Sequence, residues 1–167
     1  MVSHLGSNFY PVIKSLSYRR DGEGENKMVE VGKWEAIEYL REFIPKNELE
    51  LVIDYTKGKE DGFFVEKLLE LYILILTMPK TYEQDGKGDE AIAYLHYFKG
   101  GSDWFITEKD INTDKEGQVQ AFGYTILNGD KEMAEMGYIS IKELIENNVE
   151  LDLYWTPKTL KEVKEVK

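Results

Sequence analysis

Chemistry in this chain would have to come from carboxylates, one strand histidine and a set of aromatic rings. Asp110-Ile-Asn112-Thr-Asp114-Lys-Glu116 places oxygen ligands at alternate positions, as the first half of a calcium loop does. Its sixth position is Lys115 where the turn needs glycine, and its twelfth is Ala121 where a bidentate glutamate belongs. A solvated loop accounts for it better. The run Glu83 to Glu90 fails the same test, with Lys87 at its fifth position. Glu108 and Asp110 alternate along an extended segment, so their carboxylates would share a side and could hold a divalent ion for hydrolysis. No third ligand accompanies them. His96 would act as a general base only beside an acid or nucleophile across a sheet, and linear order supplies no such partner. A locally hydrogen-bonded strand histidine is the simpler reading. Gly86-Lys-Gly88 is too short for a phosphate loop. The chain has no cysteine, which removes disulfides and thiolate ligands. No catalytic residue, metal site or cofactor is therefore assigned.

Two surfaces remain as binding candidates. Asp103, Glu108, Asp110, Asp114 and Glu116 would make an acidic one. Tyr97 and Trp104, with Tyr94, Phe98 and Phe105 nearby, would make an aromatic one on which bases could stack. Packing inside a sheet competes with the second reading, and the basic groove that accompanies base stacking is missing. Net charge is −11, unevenly spread. Residues 1–79 carry 10 Lys/Arg against 14 Asp/Glu, residues 80–155 carry 7 against 16, and residues 156–167 carry 4 against 2. The acidic middle should repel phosphate backbones, which are bound by cations with counterion release. It keeps the protein dissolved, or it imitates the charge of DNA and occupies a protein that binds nucleic acid. Basic residues cluster only at Lys14, Arg19 and Arg20 and at Lys158, Lys161, Lys164 and Lys167.

The elements that position these residues follow from periodicity. Phe9–Tyr18 reads as a short strand and residues 19–28 as a polar loop. Trp34, Ile37, Leu40 and Ile44 recur at helical spacing, so residues 33–44 read as a helix ended by Pro45. In Glu48–Tyr55 the alternation of Leu49, Leu51, Ile53 and Tyr55 with Glu48, Glu50 and Asp54 favours a strand, with a helix as the alternative. Residues 63–78 read as a helix with Phe64, Leu68, Leu71, Ile75 and Met78 inside. Its stretch Tyr72–Leu76 is apolar nearly all round, suiting deep burial or self-association. After a linker at 81–89, strands follow at Ala91–Phe98, Asp103–Glu108, Gln118–Leu127, Met136–Ile139 and Leu151–Trp155. Lys99-Gly-Gly-Ser102 and Asn128-Gly-Asp130 are the turns. Ser140 and Glu143 form a capping box for a helix to about Asn147. Thr156 and Pro157 would start a short final helix.

Consecutive strands with short connections make an antiparallel sheet. The fold class is α+β: four to five antiparallel strands in the C-terminal half, covered by helices of the N-terminal half and a short C-terminal helix. The organisation is a mainly helical region at 1–79 and a sheet domain at 80–167, or one unit. Leu68–Met78, the most apolar run, falls short of the roughly 20 residues of a membrane span. With no secretory signal in residues 1–17, the chain reads as cytoplasmic.

Ala93-Tyr-Leu-His-Tyr-Phe-Lys-Gly-Gly-Ser-Asp-Trp-Phe-Ile-Thr-Glu-Lys-Asp110 resembles the opening of the family called domain of unknown function 2958. Ala121-Phe-Gly-Tyr124, Glu135–Leu144 and Leu151-Asp-Leu-Tyr-Trp-Thr-Pro157 look like its close, so the resemblance covers roughly residues 80–160. The segment Asn128–Ala134 departs from it, carrying a charged turn in place of a glycine-rich stretch. Members occur on plasmids, conjugative elements and phages, and no catalytic residues are established among them. The resemblance implies an accessory protein of a mobile genetic element. Joined to the acidic middle block, it leads to the expectation of a non-enzymatic protein that binds a host protein and antagonises a defence or DNA-processing function. The alternatives are a single-strand nucleic-acid module using Arg19, Arg20 and the C-terminal lysines, and a metal-dependent hydrolase using Glu108 and Asp110.

Overall fold

Two hairpins organise the molecule, and each is set by a turn with both central residues at positive φ. Gly100 (55°) and Gly101 (84°) join one pair of strands, and Asn128 (52°) and Gly129 (73°) join the next. This geometry matches the twist of antiparallel strands. A computed structural model describes residues 32–57, 61–111 and 120–166 together with the backbone of Leu16–Tyr18 and Lys27–Val29.

Strand β1 (Leu16–Tyr18) pairs antiparallel with β2 (Lys27–Val29). Helices α1 (Lys33–Leu40), α2 (Lys46–Tyr55) and α3 (Asp61–Thr77) follow. After a 3-10 turn at Gly88–Glu90 come β3 (Ile92–Ala93), β4 (Leu95–Lys99), β5 (Ser102–Glu108), β6 (Ala121–Leu127) and β7 (Asp130–Ile139). Helix α4 (Ile141–Glu146), β8 (Glu150–Leu151), β9 (Lys158–Thr159) and α5 (Leu160–Val166) complete the order. The main sheet is antiparallel, ordered β7-β6-β5-β4-β8, and β3 pairs with β9 beside it. The arrangement is α+β. No helix among the described residues is long and apolar enough to cross a membrane.

The sheet has two covered faces. Leu95, Tyr97, Ile106, Ala121 and Ile139 join Ile37, Leu40, Leu49, Leu68 and Ile75 of the helices in one buried cluster. The helices of the first half and the sheet of the second thus share a core. On the opposite face Phe105, Tyr124 and Ile126 pack with Ala91, Ala93, Leu160 and Val163 in a smaller cluster. Polar ties fasten the helical layer to the sheet. The Tyr97 hydroxyl donates to the Phe43 carbonyl at 2.7 Å. Lys109 Nζ donates to the carbonyls of Ile75 and Leu76 at 2.7 and 2.9 Å, meeting the open C-terminal end of α3.

Several sequence expectations are corrected. Residues 46–55 form a helix, not a strand. Leu49 and Val52 turn inward three residues apart, whereas Leu51 and Tyr55 of the alternating set face solvent. Trp34 is 46% exposed, so the buried stripe of α1 runs through Ala36, Ile37 and Leu40. The strand expected at Ala91–Phe98 breaks at Tyr94: Ile92 and Ala93 pair with Thr159 and Lys158, while Leu95 onward pairs with β5. β7 starts at Asp130, six residues before the expected Met136, because an edge strand can carry charged residues that no apolar pattern reveals. β8 is two residues long, since the Asp152 carboxylate accepts from the Tyr154 N–H at 3.0 Å and turns the chain. The final helix starts at Leu160 rather than at Pro157. Its capping box is Thr159 with Glu162: the Thr159 N–H donates to Glu162 Oε2 at 2.8 Å and the Glu162 N–H to Thr159 Oγ1 at 3.2 Å. Lys27 and Met28, expected in a loop, lie in β2. Most of the Phe9–Tyr18 strand, residues 19–26 and residues 112–119 lie outside the described residues.

Candidate functional site: a cavity beside the edge strand

Pro79 ends α3, and the chain then runs back along β5. Thr81 donates its N–H to the Lys109 carbonyl at 2.9 Å, and Lys109 returns one to Pro79 at 2.9 Å. Tyr82 takes φ 78°, an unusual conformation for a bulky residue. Glu108 holds it there. Its carboxylate accepts the backbone N–H of Tyr82 at 3.1 Å and, through a very short contact, that of Gln84. Gln84 locks the segment from its other side. Its amide donates to the carbonyls of Ile92 and Thr107, both at 2.8 Å, and accepts the Ile92 N–H at 2.8 Å.

A β-bulge decides where Glu108 points. Ile106 pairs with Gly123, but the next pair is Glu108 with Phe122, leaving Thr107 as the extra residue. Phe122 in turn pairs with Tyr138 on β7. Glu108, Phe122 and Tyr138 therefore form a row across three strands, and bulges re-aim side chains in this way. Phe122 and Tyr138 meet edge to face with centroids 5.4 Å apart. The Tyr138 hydroxyl lies 3.1 Å from that of Tyr82, joining the edge strand to the 80–91 segment. That hydrogen bond, foremost, with the Glu108 charge behind it, raises the Tyr138 phenol above its ordinary pKa.

These residues enclose a cavity of about 310 Å³, with Met136 and Asp85 also on its walls. It combines aromatic faces with carboxylates, and among the described residues no lysine or arginine lines it. No family model matches this chain, and no curated protein and no solved structure matches it either.

His96 occupies a second polar cluster on the same face. Its ring stacks on Phe105, directly opposite on β5, with centroids 4.6 Å apart and planes within 5°. Nε2 faces Asp103 Oδ1 at 2.8 Å and Nδ1 faces Asp152 Oδ2 at 3.2 Å. A doubly protonated ring donates to both carboxylates; a neutral ring satisfies one and sets a lone pair against the other. Both nitrogens are thus engaged, which suits a fixed structural element. Ser102 borders the shallow concavity beside His96, but its Oγ accepts the Asn128 N–H at 2.9 Å. Among the described residues no group of three or more His, Asp and Glu side chains is placed to hold a metal ion.

The candidate residues read from sequence are redistributed accordingly. Asp103 is buried beside His96, Glu108 is 3% exposed beneath Tyr82 and Gln84, and buried Asp110 accepts the Gln120 N–H at 3.2 Å. These three do not form an exposed acidic surface, because each carboxylate meets a polar partner inside: His96 for Asp103, the Tyr82 and Gln84 N–H groups for Glu108, and the Gln120 N–H for Asp110. Tyr97 is 0% exposed and Trp104 is half-buried against the helical layer, so they do not form an aromatic binding surface either. Asp114 and Glu116 lie outside the described residues. Of the described sequence candidates only Glu108 lines the cavity. Tyr82, Phe122 and Tyr138 are not among those candidates, and Asp85 enters only in the rejected calcium-loop run Glu83–Glu90. Their one local signal is the turn-rich run Tyr82 to Gly88, and nothing local announces the bulge that sets Glu108 opposite Phe122.

Proposed function

We propose that this protein acts by binding another protein, as a non-enzymatic accessory factor of a mobile genetic element, and that its partner presents a basic segment to the outer edge of β7. The antagonism of a host defence or DNA-processing protein follows as the concrete form, since proteins that hold nucleic acid carry such segments. The observation that carries the reading is the state of β7. It is the last strand of the sheet, and no strand covers its outer edge among the described residues. It is exposed along nearly its whole length, with Met133 77% accessible and Tyr138 56%. Long exposed edges are templates for strand addition.

Two features select the occupant. Asp130, Glu132 and Glu135 against Lys131 leave the strand with a net charge of −2, so two copies pairing through it would oppose like charges. The register of β7 is also interrupted: Leu127 pairs with Asp130 and Thr125 with Glu135, leaving Lys131–Ala134 opposite Ile126 alone. The regular stretch open to a partner is thus Glu135–Ile139.

The test is a pull-down from nuclease-treated host lysate with the parent protein and a Glu132→Lys/Glu135→Lys variant, whose substitutions lie on exposed positions. A basic protein held by the parent, released by moderate salt and absent with the variant is the expected result. Retention of nothing by the parent, or of the same proteins by both, would overturn the reading.

A further inference from the structure

We infer that the cavity between the 80–91 segment and β7 receives an arginine side chain from the strand that adds to β7. Three observations converge on a planar cation. Aromatic rings of Tyr82, Phe122 and Tyr138 line the cavity, the last two edge to face, and a guanidinium stacks on such faces while donating in its own plane. Glu108 and Asp85 supply negative charge on the walls. The third wall carboxylate, Asp89, is already paired with Lys164 at 2.5 Å, whereas the exposed Asp85 carboxylate has no hydrogen-bond or ion-pair partner among the described residues. Glu108 uses its two oxygens for one backbone N–H each and keeps further lone pairs.

Placement agrees with this chemistry. Met136 and Tyr138 belong to β7 and line the cavity. In a strand paired along Glu135–Ile139, alternate side chains fall on the cavity's face, with Cβ atoms roughly 4.5–5.5 Å from those of their β7 neighbours. An arginine starting there spans Tyr138 toward Phe122, with Glu108 one strand further in. A volume near 310 Å³ lies at the bottom of the roughly 300–1,000 Å³ range of small-molecule sites, which suits one side chain.

The inference rests on β7 being a protein-binding edge, but its test does not need the partner. The whole protein is titrated with N-acetyl-arginine methylamide and, separately, with the uncharged citrulline analogue, and backbone resonances are followed by NMR. The arginine compound should move the signals of Tyr82, Asp85, Phe122 and Tyr138, and the citrulline analogue should bind roughly tenfold more weakly or not at all. Asp85→Asn and Tyr138→Ala, both at exposed positions, should each weaken the arginine response several-fold while leaving the remaining spectrum in place. Equal responses to the two compounds, or shifts confined to residues away from the cavity, would overturn the inference. A successful pull-down beside such a failure would leave β7 as the interface and remove the cavity as its reader.

Discussion

Glu48 on α2 accepts the backbone N–H of Leu151 on β8 at 3.1 Å, and this contact joins the helical layer to the far edge of the sheet. The carboxyl carries a cost. Burial first, then the nearby Glu150 and Asp152 charges, push its pKa up to about 7, against the opposing pull of the Leu151 hydrogen bond. A carboxyl raised in the folded state stabilises the fold fully below its unfolded value near 4.5, and that contribution is lost as pH rises through about 7. Urea unfolding at pH 5 and pH 8 should show the parent losing roughly 1–3 kcal/mol more than Glu48→Gln between the two. Parallel losses would remove Glu48 as the cause.

Lys109 has the opposite sign. Burial, with Lys80 adding and Glu83 opposing, lowers its pKa from 10.5 to about 8. Between these values the unfolded chain binds more protons, so stability from this group rises with pH. The neutral amine still donates to the carbonyls of Ile75 and Leu76. Lys109→Met should therefore cost about 2 kcal/mol near pH 7 through unmet carbonyls, and more at pH 10. A deficit that shrinks at pH 10 would refute the assignment.

Gly123 has no room for a side chain. A Cβ there would lie 2.1 Å from the Phe105 carbonyl oxygen, a backbone atom that moves only with β5 itself. Gly123→Ala should destabilise by about 3 kcal/mol or more. Thermal melts followed by circular dichroism measure it, and an unchanged midpoint would mean that β5 and β6 do not approach as described.

Tyr97→Phe removes one oxygen from a fully buried position and leaves the Phe43 carbonyl without that donor. The expected loss is about 1–2 kcal/mol, with binding at β7 untouched. Denaturant unfolding gives the first value and the pull-down the second. Loss of partner capture in a variant that stays folded would return Tyr97 to the binding surface.

His96→Phe keeps a ring against Phe105 but withdraws both nitrogens from Asp103 and Asp152. Leaving the buried Asp103 carboxylate without this hydrogen-bond partner should cost roughly 1–3 kcal/mol. Chemical unfolding of the purified variant checks this; a change below 0.5 kcal/mol, the scatter of ordinary surface substitutions, would show that the cluster is not structural.

Short-range physics settles part of this fold. The glycine and asparagine turns specify both hairpins, Pro79 follows the end of α3, and Ser140 caps α4 by accepting the Glu143 N–H at 3.2 Å. Apolar periodicity then placed β4, β5, β6 and two of the helices, and with them the α+β class. Each of these depends on residues a few positions apart. Tertiary structure decided the rest. The alternation in Glu48–Tyr55 favours a strand, yet the segment is helical because Leu49 and Val52 join the helical core. Asp152 reaches His96 across 56 residues and Glu108 reaches Gln84 across 24. Whether a carboxylate faces water or a backbone N–H depends on which distant segment arrives beside it. Local spacing does not contain that information, so the buried acids and the cavity they help to form became legible only once the chain was folded.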